Sequence, residues 1–391
     1  MGNTPNIRFK GFTDDWEQRK LGEVFEEYSE KNHEELPPLT IIQGGGTILR
    51  EESDRALQYD KSSLSGYKMV KKNDFIVHLR SFEGGLEKAN TDGIISPAYH
   101  TFHGENTDSR FYYPFFRSRR FIDALLKPHV YGIRDGKSID IEGMKSIMIP
   151  VPSYKEQQAI GGYIETLDHL ITLHQRKCDE TKELKKFMLQ KMFPKNGEKK
   201  PEIRFEGFTD DWEQRKLGEV CERVQGNDGR MSLPTLTISA ANGWMSQEAR
   251  FSGNIAGKEQ KNYTLLHKGE LSYNHGNSKL AKYGTVFSLE TYEEALVPRV
   301  YHSFRMTEGD ASFIEYYFAT KIPNRELAKL ISSGARMDGL LNIGFDEFMG
   351  ININLPSIKE QERISDYLRS LDNLITLHRR AYHYTKRRTY K

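Results

Sequence analysis

A phrase of eighteen residues occurs twice in this chain and sets limits on how it can fold. Residues 7–24 return as residues 203–220, and the only difference between the two copies is that Lys10 becomes Glu206. Self-similarity at such a distance predicts two modules of about 200 residues, each long enough to bury its own core.

The rest of the chain alternates between similar and dissimilar segments. Residues 152–157 and 167–174 are matched by residues 356–361 and 371–378, whereas residues 25–151 and 221–355 share only scattered positions. The flanks of each module therefore stayed alike while the contents diverged. Similar flanking segments indicate that the two modules have the same function, and dissimilar internal segments indicate that they recognise two different targets.

Composition places the chain among soluble globular proteins, with 37% hydrophobic and 29% charged residues. No apolar run reaches the roughly 18 residues of a membrane span, and the start of the chain lacks the pattern of a signal peptide, so we expect a cytoplasmic protein without a membrane partner. The net charge of +2 does not exclude DNA, because a reader of DNA can concentrate its cations on one face. Cys178 and Cys221 occupy unrelated places in the two modules and predict free thiols without a metal site.

The divergent segments contain short apolar runs broken by Gly, Asn and Asp, which is typical of strands and turns. The predicted strands are residues 75–77, 94–95, 236–238 and 285–289, with residues 147–152 and 351–356 leading out of the modules. The predicted helices inside the divergent segments are residues 111–127 and 313–332.

Each module closes with a long helix. Ser153-x-x-Glu156 and Ser357-x-x-Glu360 have the form of a capping box, which predicts that a helix begins at each. The first helix, over residues 155–193, would be about 58 Å long, and the second about 50 Å if it reaches the end of the chain. The seven-residue spacing of apolar positions predicts a seam made of Ile160, Leu167, Leu170, Leu184, Met188, Ile364, Leu371 and Leu374.

Because neither seam has another obvious partner, the two helices are predicted to form an antiparallel coiled coil between two globular heads. His174 and His378 occupy polar seam positions, where hydrogen bonding is a commoner role than metal binding. The predicted fold class is α+β, with two tandem recognition domains of mixed β-sheet and helices at residues 1–151 and 198–355. The spacer helices then occupy residues 152–197 and 356–391.

This order of segments resembles the specificity subunits of type I restriction–modification systems over essentially the whole chain. Trp-Glu-x-x-x-Leu-Gly-Glu-Val opens each module, and Pro-Ser-x-x-Glu-Gln with a Leu-Ile-Thr-Leu-His helix closes it. The resemblance implies two target-recognition domains that each read one half of a bipartite site in double-stranded DNA. It also implies helices that set the distance between the domains, and docking of two methyltransferase subunits and of restriction subunits. S-adenosylmethionine, ATP and magnesium would then be bound by those partners.

Three pairs of places in the divergent segments are candidates for DNA contact, because exposed Arg, Lys, Asn, Ser and His side chains can read base edges. The first pair is two loops that follow strands, and a solvated turn is the alternative for each. The second pair, Tyr99-His100 and Tyr301-His302, is better suited to a shared scaffold or to contact with the DNA backbone than to discrimination between bases. Arg134 and Arg336, in the third, either clasp phosphate, which we prefer, or pair with Asp135 and Asp338. The candidates of the first two pairs are Arg80, Ser81, Asn274, His275, Asn277 and Lys279, then Tyr99, His100, Tyr301 and His302. Lys137 and the cluster of Arg117, Arg119 and Arg120 complete the set, although the cluster is equally a solvated face.

Catalytic motifs are absent from the sequence. There is no methyltransferase tetrapeptide, and residues 253–259 lack the spacing and the Ser or Thr of a phosphate loop, so catalysis is expected from partners and no cofactor or metal from this chain. Two alternatives are a nuclease with scattered acidic residues and a tandem protein-binding scaffold. Residues 379–391 carry six basic residues and no acid, and they either bind DNA phosphate or fray.

Overall fold

A computed structural model of the chain describes residues 5, 7–53, 61–132, 137–195, 197–251, 257–276, 278–331 and 340–389. The chain forms two compact units. The first contains Met1–Thr172 and His383–Lys391, and the second contains Leu173–Tyr382. The bounds of the four segments expected from the sequence, two recognition domains and two spacer helices, remain predictions.

The first unit is built from short strands and helices. Its strands are β1 Glu17–Lys20, β2 Glu26–Tyr28, β3 Leu39–Ile42, β4 Gly46–Leu49, β5 Lys68–Val70, β6 Phe75–Val77, β7 Glu87–Lys88, β8 Gly93–Ile95, β9 His100–His103, β10 Val130–Tyr131, β11 Ser138–Ile139 and β12 Met148–Val151. Its α-helices are α1 Leu21–Val24, α2 Ser81–Gly84, α3 Ser109–Phe116, α4 Ile141–Lys145 and the start of α5 Tyr154–Lys191.

The second unit repeats this plan. Its strands are β13 Glu213–Lys216, β14 Cys221–Arg223, β15 Leu236–Ser239, β16 Gly243–Ser246, β17 Thr264–His267, β18 Leu271–Asn274, β19 Thr285–Ser288, β20 Glu294–Val297, β21 His302–Met306 and β22 Asn352–Leu355. Its helices are α6 Gln247–Phe251, α7 Ala311–Ala319, α8 Asn324–Leu330, α9 Phe345–Met349 and most of α10 Ile358–Thr389.

Both units contain a four-stranded antiparallel sheet with the same strand order. The order is β2-β9-β6-β7 in the first and β14-β21-β18-β19 in the second. One face of each sheet packs on a core rich in aromatic side chains, such as Phe75 and Phe102 in the first unit and Tyr273 and Phe304 in the second. The predicted α+β class with two tandem domains is confirmed.

The repeated phrases bring the beginning and the end of each unit together. β1 pairs antiparallel with β12, and β13 pairs with β22 in the same manner. Just before each opening strand, an arginine binds the glutamate of the Pro-Ser-x-x-Glu-Gln segment through two parallel hydrogen bonds, 2.6 and 2.7 Å for Arg8 with Glu156 and 2.7 Å each for Arg204 with Glu360. Both carboxylates are 1% exposed. We call each pair the clasp of its unit.

The clasps correct the capping-box prediction. The backbone N–H of Glu156 donates to Ser153 Oγ over a long 3.4 Å, but the Glu156 carboxylate accepts from Arg8 and Trp16. In the second unit, the Glu360 N–H donates to the carbonyl of Ser357 at 2.9 Å. An arginine fork competes better for a buried carboxylate than one backbone amide does, so the spacing of a capping box serves a tertiary contact here.

The glutamine that follows each clasp glutamate has the same structural role in both units. Gln157 Oε1 accepts from the N–H of Asp108 at 3.0 Å, and Gln361 Oε1 accepts from that of Asp310 at 3.1 Å. Those aspartates cap α3 and α7 by accepting from backbone N–H groups. The repeated Glu-Gln pair therefore joins the long helix to the rest of its unit.

The two predicted internal helices are each broken. α3 ends at Phe116 and is followed by a π-helix, Arg120–Leu126, while α7 ends at Ala319 and α8 begins at Asn324. The break after α7 includes Lys321 at a φ of 66°, which no helix continues through. Apolar periodicity predicted uninterrupted helices at both places because it reflects the spacing of apolar residues and not a local change in backbone direction.

Within the second unit, α5 and α10 pack antiparallel, as predicted. His174 Nδ1 lies 3.2 Å from His378 Nδ1, Cys178 Sγ lies 3.8 Å from the carbonyl of Ile375, and Lys185 Nζ lies 2.6 Å from Asp372, so one helix rises as the other descends. The close imidazoles fit a hydrogen bond if one nitrogen carries the proton.

The predicted seam is correct in part. Ile364 and Leu371 are buried, and Ile160, Leu167 and Met188 are half-buried. The prediction of a buried seam position is wrong for Leu170, Leu184 and Leu374, because their side chains are 36%, 40% and 43% exposed. α10 also buries Leu368 and Ile375, which form one stripe with the predicted Ile364 and Leu371.

No described helix is long and apolar enough to cross a membrane. Three or more His, Cys, Asp or Glu side chains with the spacing of a metal site do not come together anywhere in that part of the chain.

Candidate nucleic-acid interface

The loop after β6 presents Arg80 to solvent. Arg80 precedes α2 and makes no ion pair with any described residue. Ser81 was expected at the exposed tip, and this is wrong: its side chain is fully buried, and its Oγ accepts from the N–H of His78 at 2.9 Å. Burial, aided by Arg117 and Arg80, lowers the pKa of His78 to about 4, so this imidazole is neutral beneath the loop.

Two clefts flank this loop and collect several predicted residues. A cleft of about 490 Å³ is lined by Arg80 and Tyr99 among others, and a smaller one is lined by His100 and Lys137. Leu79 lines both and is 64% exposed. This leucine was not among the predicted site residues, because an apolar residue after a strand indicates a core position. An exposed leucine beside a cation is suited to contact a thymine methyl group.

The recurring Tyr-His pairs are held by the fold. The backbone carbonyl of Tyr99 accepts from Lys68 at 2.6 Å, and the Tyr301 hydroxyl lies 3.0 Å from Thr237 Oγ1 and accepts from the N–H of Ile238. His302 Nε2 lies 2.8 Å from the carbonyl of Ile343. These contacts support the expectation of a shared scaffold.

His100 belongs to a charged chain rather than an open surface. Its Nδ1 lies 2.7 Å from Glu27, which also binds Lys145 at 2.6 Å. Burial would raise the pKa of Glu27, but the hydrogen bonds from Lys145 and His100 outweigh it and the pKa is lowered. The carboxylate therefore stays ionised and occupies one edge of the imidazole.

The arginine cluster divides between two roles. Arg117 forms an ion pair with Glu87, a fully buried carboxylate that also accepts from the N–H groups of Gly44 and Gly46 and from the Tyr113 hydroxyl. This network fixes the glycine turn between β3 and β4. Arg119 is 86% exposed and lies 3.7 Å from Asp123, which is the solvated face that the sequence analysis gave as the alternative.

The corresponding loop of the second unit is organised differently. Asn274 Oδ1 accepts from the N–H of Gly276 at 3.0 Å, which forms a local turn. His275 was expected at the exposed tip, and this is wrong: it is 7% exposed and packs against His302 with ring centroids 4.8 Å apart. Lys279 is exposed, and the neighbouring Leu280 is 63% exposed, so this loop also has a leucine beside a cation. Arg134, Asn277 and Arg336 lie outside the described residues.

A polar cleft of about 690 Å³ in the second unit was not anticipated from the sequence. Arg223, Lys261 and Arg299 line it together with uncharged donors such as Asn227 and Tyr263. The three cations come from the end of β14, a 3-10 helix before β17 and a turn before β21. No short sequence window contains them, so only the fold brings them together.

Comparison with known proteins agrees with this architecture. A family model described as the type I restriction modification DNA specificity domain matches residues 13–183 and again residues 209–383. The type I restriction enzyme MjaVIII specificity subunit of Methanocaldococcus jannaschii is 23% identical over 336 residues, which cover 80% of this chain and 75% of that protein.

Two solved structures resemble the chain over nearly its whole length. The type I restriction–modification S subunit from M. genitalium has a TM-score of 0.55 at 13% identity, and the match covers 99% of this chain and 96% of that one. The HsdS subunit from Thermoanaerobacter tengcongensis has a TM-score of 0.46 at 17% identity, with 96% and 94% covered. The first of these likenesses shows a common fold.

Proposed function

The chain belongs to the family of type I restriction–modification DNA specificity subunits, and we propose that it reads a bipartite, asymmetric DNA target with one half-site for each unit. One observation carries the proposal. The two units have the same strand order and the same clasp, but the loops after the equivalent strands β6 and β18 present different side chains. A common scaffold with different exposed donors suits two readers of different base sequences.

Direct readout would fall to the exposed residues of these loops. Arg80 in the first unit and Lys279 in the second offer the cations that suit guanine, and Leu79 and Leu280 offer apolar contact with thymine. Tyr301 and His302 would support the loop of the second unit from below, because the Tyr301 hydroxyl and the His302 imidazole are already engaged by the fold. Tyr99 would do the same in the first unit, where its backbone carbonyl accepts from Lys68.

Docking of a methyltransferase subunit at each unit would use the exposed part of the repeated phrase. The buried part already has a structural role, since Leu21 and Leu217 belong to the cores and Arg8 and Arg204 to the clasps. The exposed Lys10 and Glu206 differ, but six other exposed positions are identical in the two units: Asp14, Asp15, Glu17, Gln18, Lys20 and Glu23 match Asp210, Asp211, Glu213, Gln214, Lys216 and Glu219. We call these two sets the repeated acidic surfaces, and they suit one basic partner surface bound twice.

Catalysis would belong to the partners. The methyltransferase subunits would bind S-adenosylmethionine, and restriction subunits would bind ATP and magnesium and join the same assembly. The specificity chain would contribute target choice and the positions of the two methyltransferases.

The test is to express the chain together with its methyltransferase and to map methylated adenines across a genome. We expect a two-part motif with a constant gap. Replacing residues 25–151 with the equivalent segment of another family member should change one half of the motif and leave the other half and the gap unchanged. Methylation without a two-part motif, or a swap that changes both halves, would contradict the proposal.

A further inference from the structure

The polar cleft of the second unit contains three cations that the fold does not neutralise. Arg223, Lys261 and Arg299 are exposed, and none of them forms an ion pair with a described residue. Six other arginines in the described part of this unit are paired with carboxylates, namely Arg176, Arg204, Arg215, Arg230, Arg305 and Arg369. Arg250, Arg325, Arg363, Arg379 and Arg380 also form no ion pair with a described residue, but they do not line this cleft. Three like charges left unmatched in one concave surface create a positive potential that attracts an anion.

One of the cations is held in place without using its charge. The Arg223 guanidinium lies 4.5 Å from the centroid of the Phe345 ring. A guanidinium over an aromatic face keeps its in-plane N–H donors available for another acceptor. The cleft thus provides a positioned fork beside two flexible cations and the uncharged donors of Asn227, Asn262 and Tyr263.

The cleft lies at the same end of the sheet as the candidate reading loop. β21 pairs with both β14 and β18, and the register places Arg223 across from Phe304 and Tyr273 across from His302. The ends of β14 and β18 therefore meet the start of β21, where Arg299 and Tyr301 also lie. A ligand that spans this edge touches the cleft and the loop with Lys279 together.

We propose that this cleft binds backbone phosphates of the DNA whose bases the loop after β18 reads. The proposal rests on the proposed function and adds a phosphate-binding site to it. Cations and uncharged N–H and O–H donors are the groups that proteins use on phosphate oxygens, and these contacts fix the register of the protein without reading sequence.

The test is the salt dependence of DNA binding by the full-length chain. The probes are a duplex that carries the mapped motif and a duplex of the same length with a scrambled sequence. Arg223→Gln, Lys261→Gln and Arg299→Gln should each weaken binding to both duplexes. The slope of log K against log salt should become less negative by about 0.9 for each phosphate that the variant no longer neutralises, and the motif itself should not change.

Arg230→Gln is the matched control. It removes the same charge from the same unit, but Arg230 is already paired with Asp228 and Glu294 at 2.6 Å. It should leave the slope at the value of the unsubstituted chain.

The outcomes separate the two proposals. If the unsubstituted chain and its methyltransferase give no two-part motif, the proposed function fails. If the motif is present but the three variants keep the slope of the unsubstituted chain, the phosphate site is overturned. It is overturned equally if the variants no longer bind the methyltransferase in the absence of DNA, since the cleft would then hold a protein. Because none of the three side chains is buried or ion-paired, Lys261→Gln and Arg299→Gln should melt at the temperature of the unsubstituted chain, and Arg223→Gln only slightly below it through loss of the contact with the Phe345 ring.

Discussion

At the scale of single residues, the two clasps are sequence-identical but have different surroundings. In the first unit Trp16 Nε1 also donates to Glu156 at 3.1 Å, whereas the indole N–H of Trp212 is buried and makes no hydrogen bond within the described part of the chain. A carboxylate that is 1% exposed depends on every donor it has. The second clasp therefore relies more completely on its arginine.

This difference predicts unequal costs for one substitution made twice. Arg8→Ala and Arg204→Ala each leave a buried charge unpaired, which costs about 3–5 kcal/mol of unfolding free energy, and Arg204→Ala should cost more. Hydrogen exchange of the first turns of α5 and α10 measures the two units separately. Adding Glu156→Gln or Glu360→Gln to the matching variant should restore part of the stability. Equal exchange in the two units, or no restoration, would contradict this account.

A half-buried acid in the second unit, Glu315, gives a pH-dependent prediction. Burial raises the pKa of Glu315 to about 7 from 4.5, and the N–H of Ser288, which donates to it at 2.8 Å, compensates only in part. Between these values the folded protein binds more protons than the unfolded chain, so its unfolding free energy falls as the pH rises from 5 to 8. The decrease amounts to at most about 3 kcal/mol, at about 1.4 kcal/mol for each pKa unit.

Glu315→Gln should flatten this fall. The amide carries no charge to desolvate, so the urea midpoint of the variant should exceed that of the unsubstituted chain at pH 8 and approach it at pH 5. Glu362→Gln, at an exposed position of α10, is the control and should leave the profile unchanged. A profile for Glu315→Gln as steep as that of the unsubstituted chain would exclude Glu315 as its source.

At the scale of elements, the end of α5 completes the core of the second unit. Phe193 packs on Trp212 and Phe313 with ring centroids 5.9 and 5.5 Å apart, and Trp212 is only 3% exposed. The N–H of Ile203 also donates to the carbonyl of Lys191. The segment after α5 therefore holds the repeated phrase of the second unit against its core.

Phe193→Ala should accordingly destabilise the second unit by about 3–5 kcal/mol through the cavity it leaves. Trp212 should become accessible to a fluorescence quencher at lower urea concentration. Phe187→Ala, at a position of α5 that is 46% exposed, is the control and should cost little. If both variants unfold together, the aromatic contact contributes little to this core.

Sequence reasoning predicted the elements of this fold better than their contacts. The strands at residues 75–77 and 236–238, the two long helices and their antiparallel packing follow from periodicity and repetition, which are local properties. The clasps could not be predicted in this way. Ser-x-x-Glu indicates a capping box when only neighbouring residues are considered, but Arg8, which binds the glutamate in the folded chain, is distant in the sequence. Ser81 and His275 failed as exposed readers for a similar reason, since a polar side chain after a strand can turn inward to support the loop. Arg223, Lys261 and Arg299 converge only through the order of the strands.

At the scale of the whole molecule, the duplicated segments contain both residues with a structural role and residues that are exposed on the surface. The clasps, the glutamines behind them and the backbone pairing of β1 with β12 and of β13 with β22 give the repeated segments a structural role in each unit. Folding alone does not require the exposed half to be identical, since surface substitutions away from such contacts usually change stability little. The identity of the repeated acidic surfaces would follow from the proposed docking of one kind of partner to both units.

Charge reversal in these surfaces should remove one methyltransferase at a time. Glu17→Lys and Glu213→Lys place a like charge opposite a basic partner surface, where a juxtaposed like charge costs several kcal/mol. Each single variant should bind one methyltransferase copy and the double variant none, as counted by native mass spectrometry. Glu105→Lys makes the same change at an exposed position outside the repeat and should retain two copies. Retention of both copies by the double variant would assign the docking to other surfaces and leave the identity of the exposed repeat unexplained.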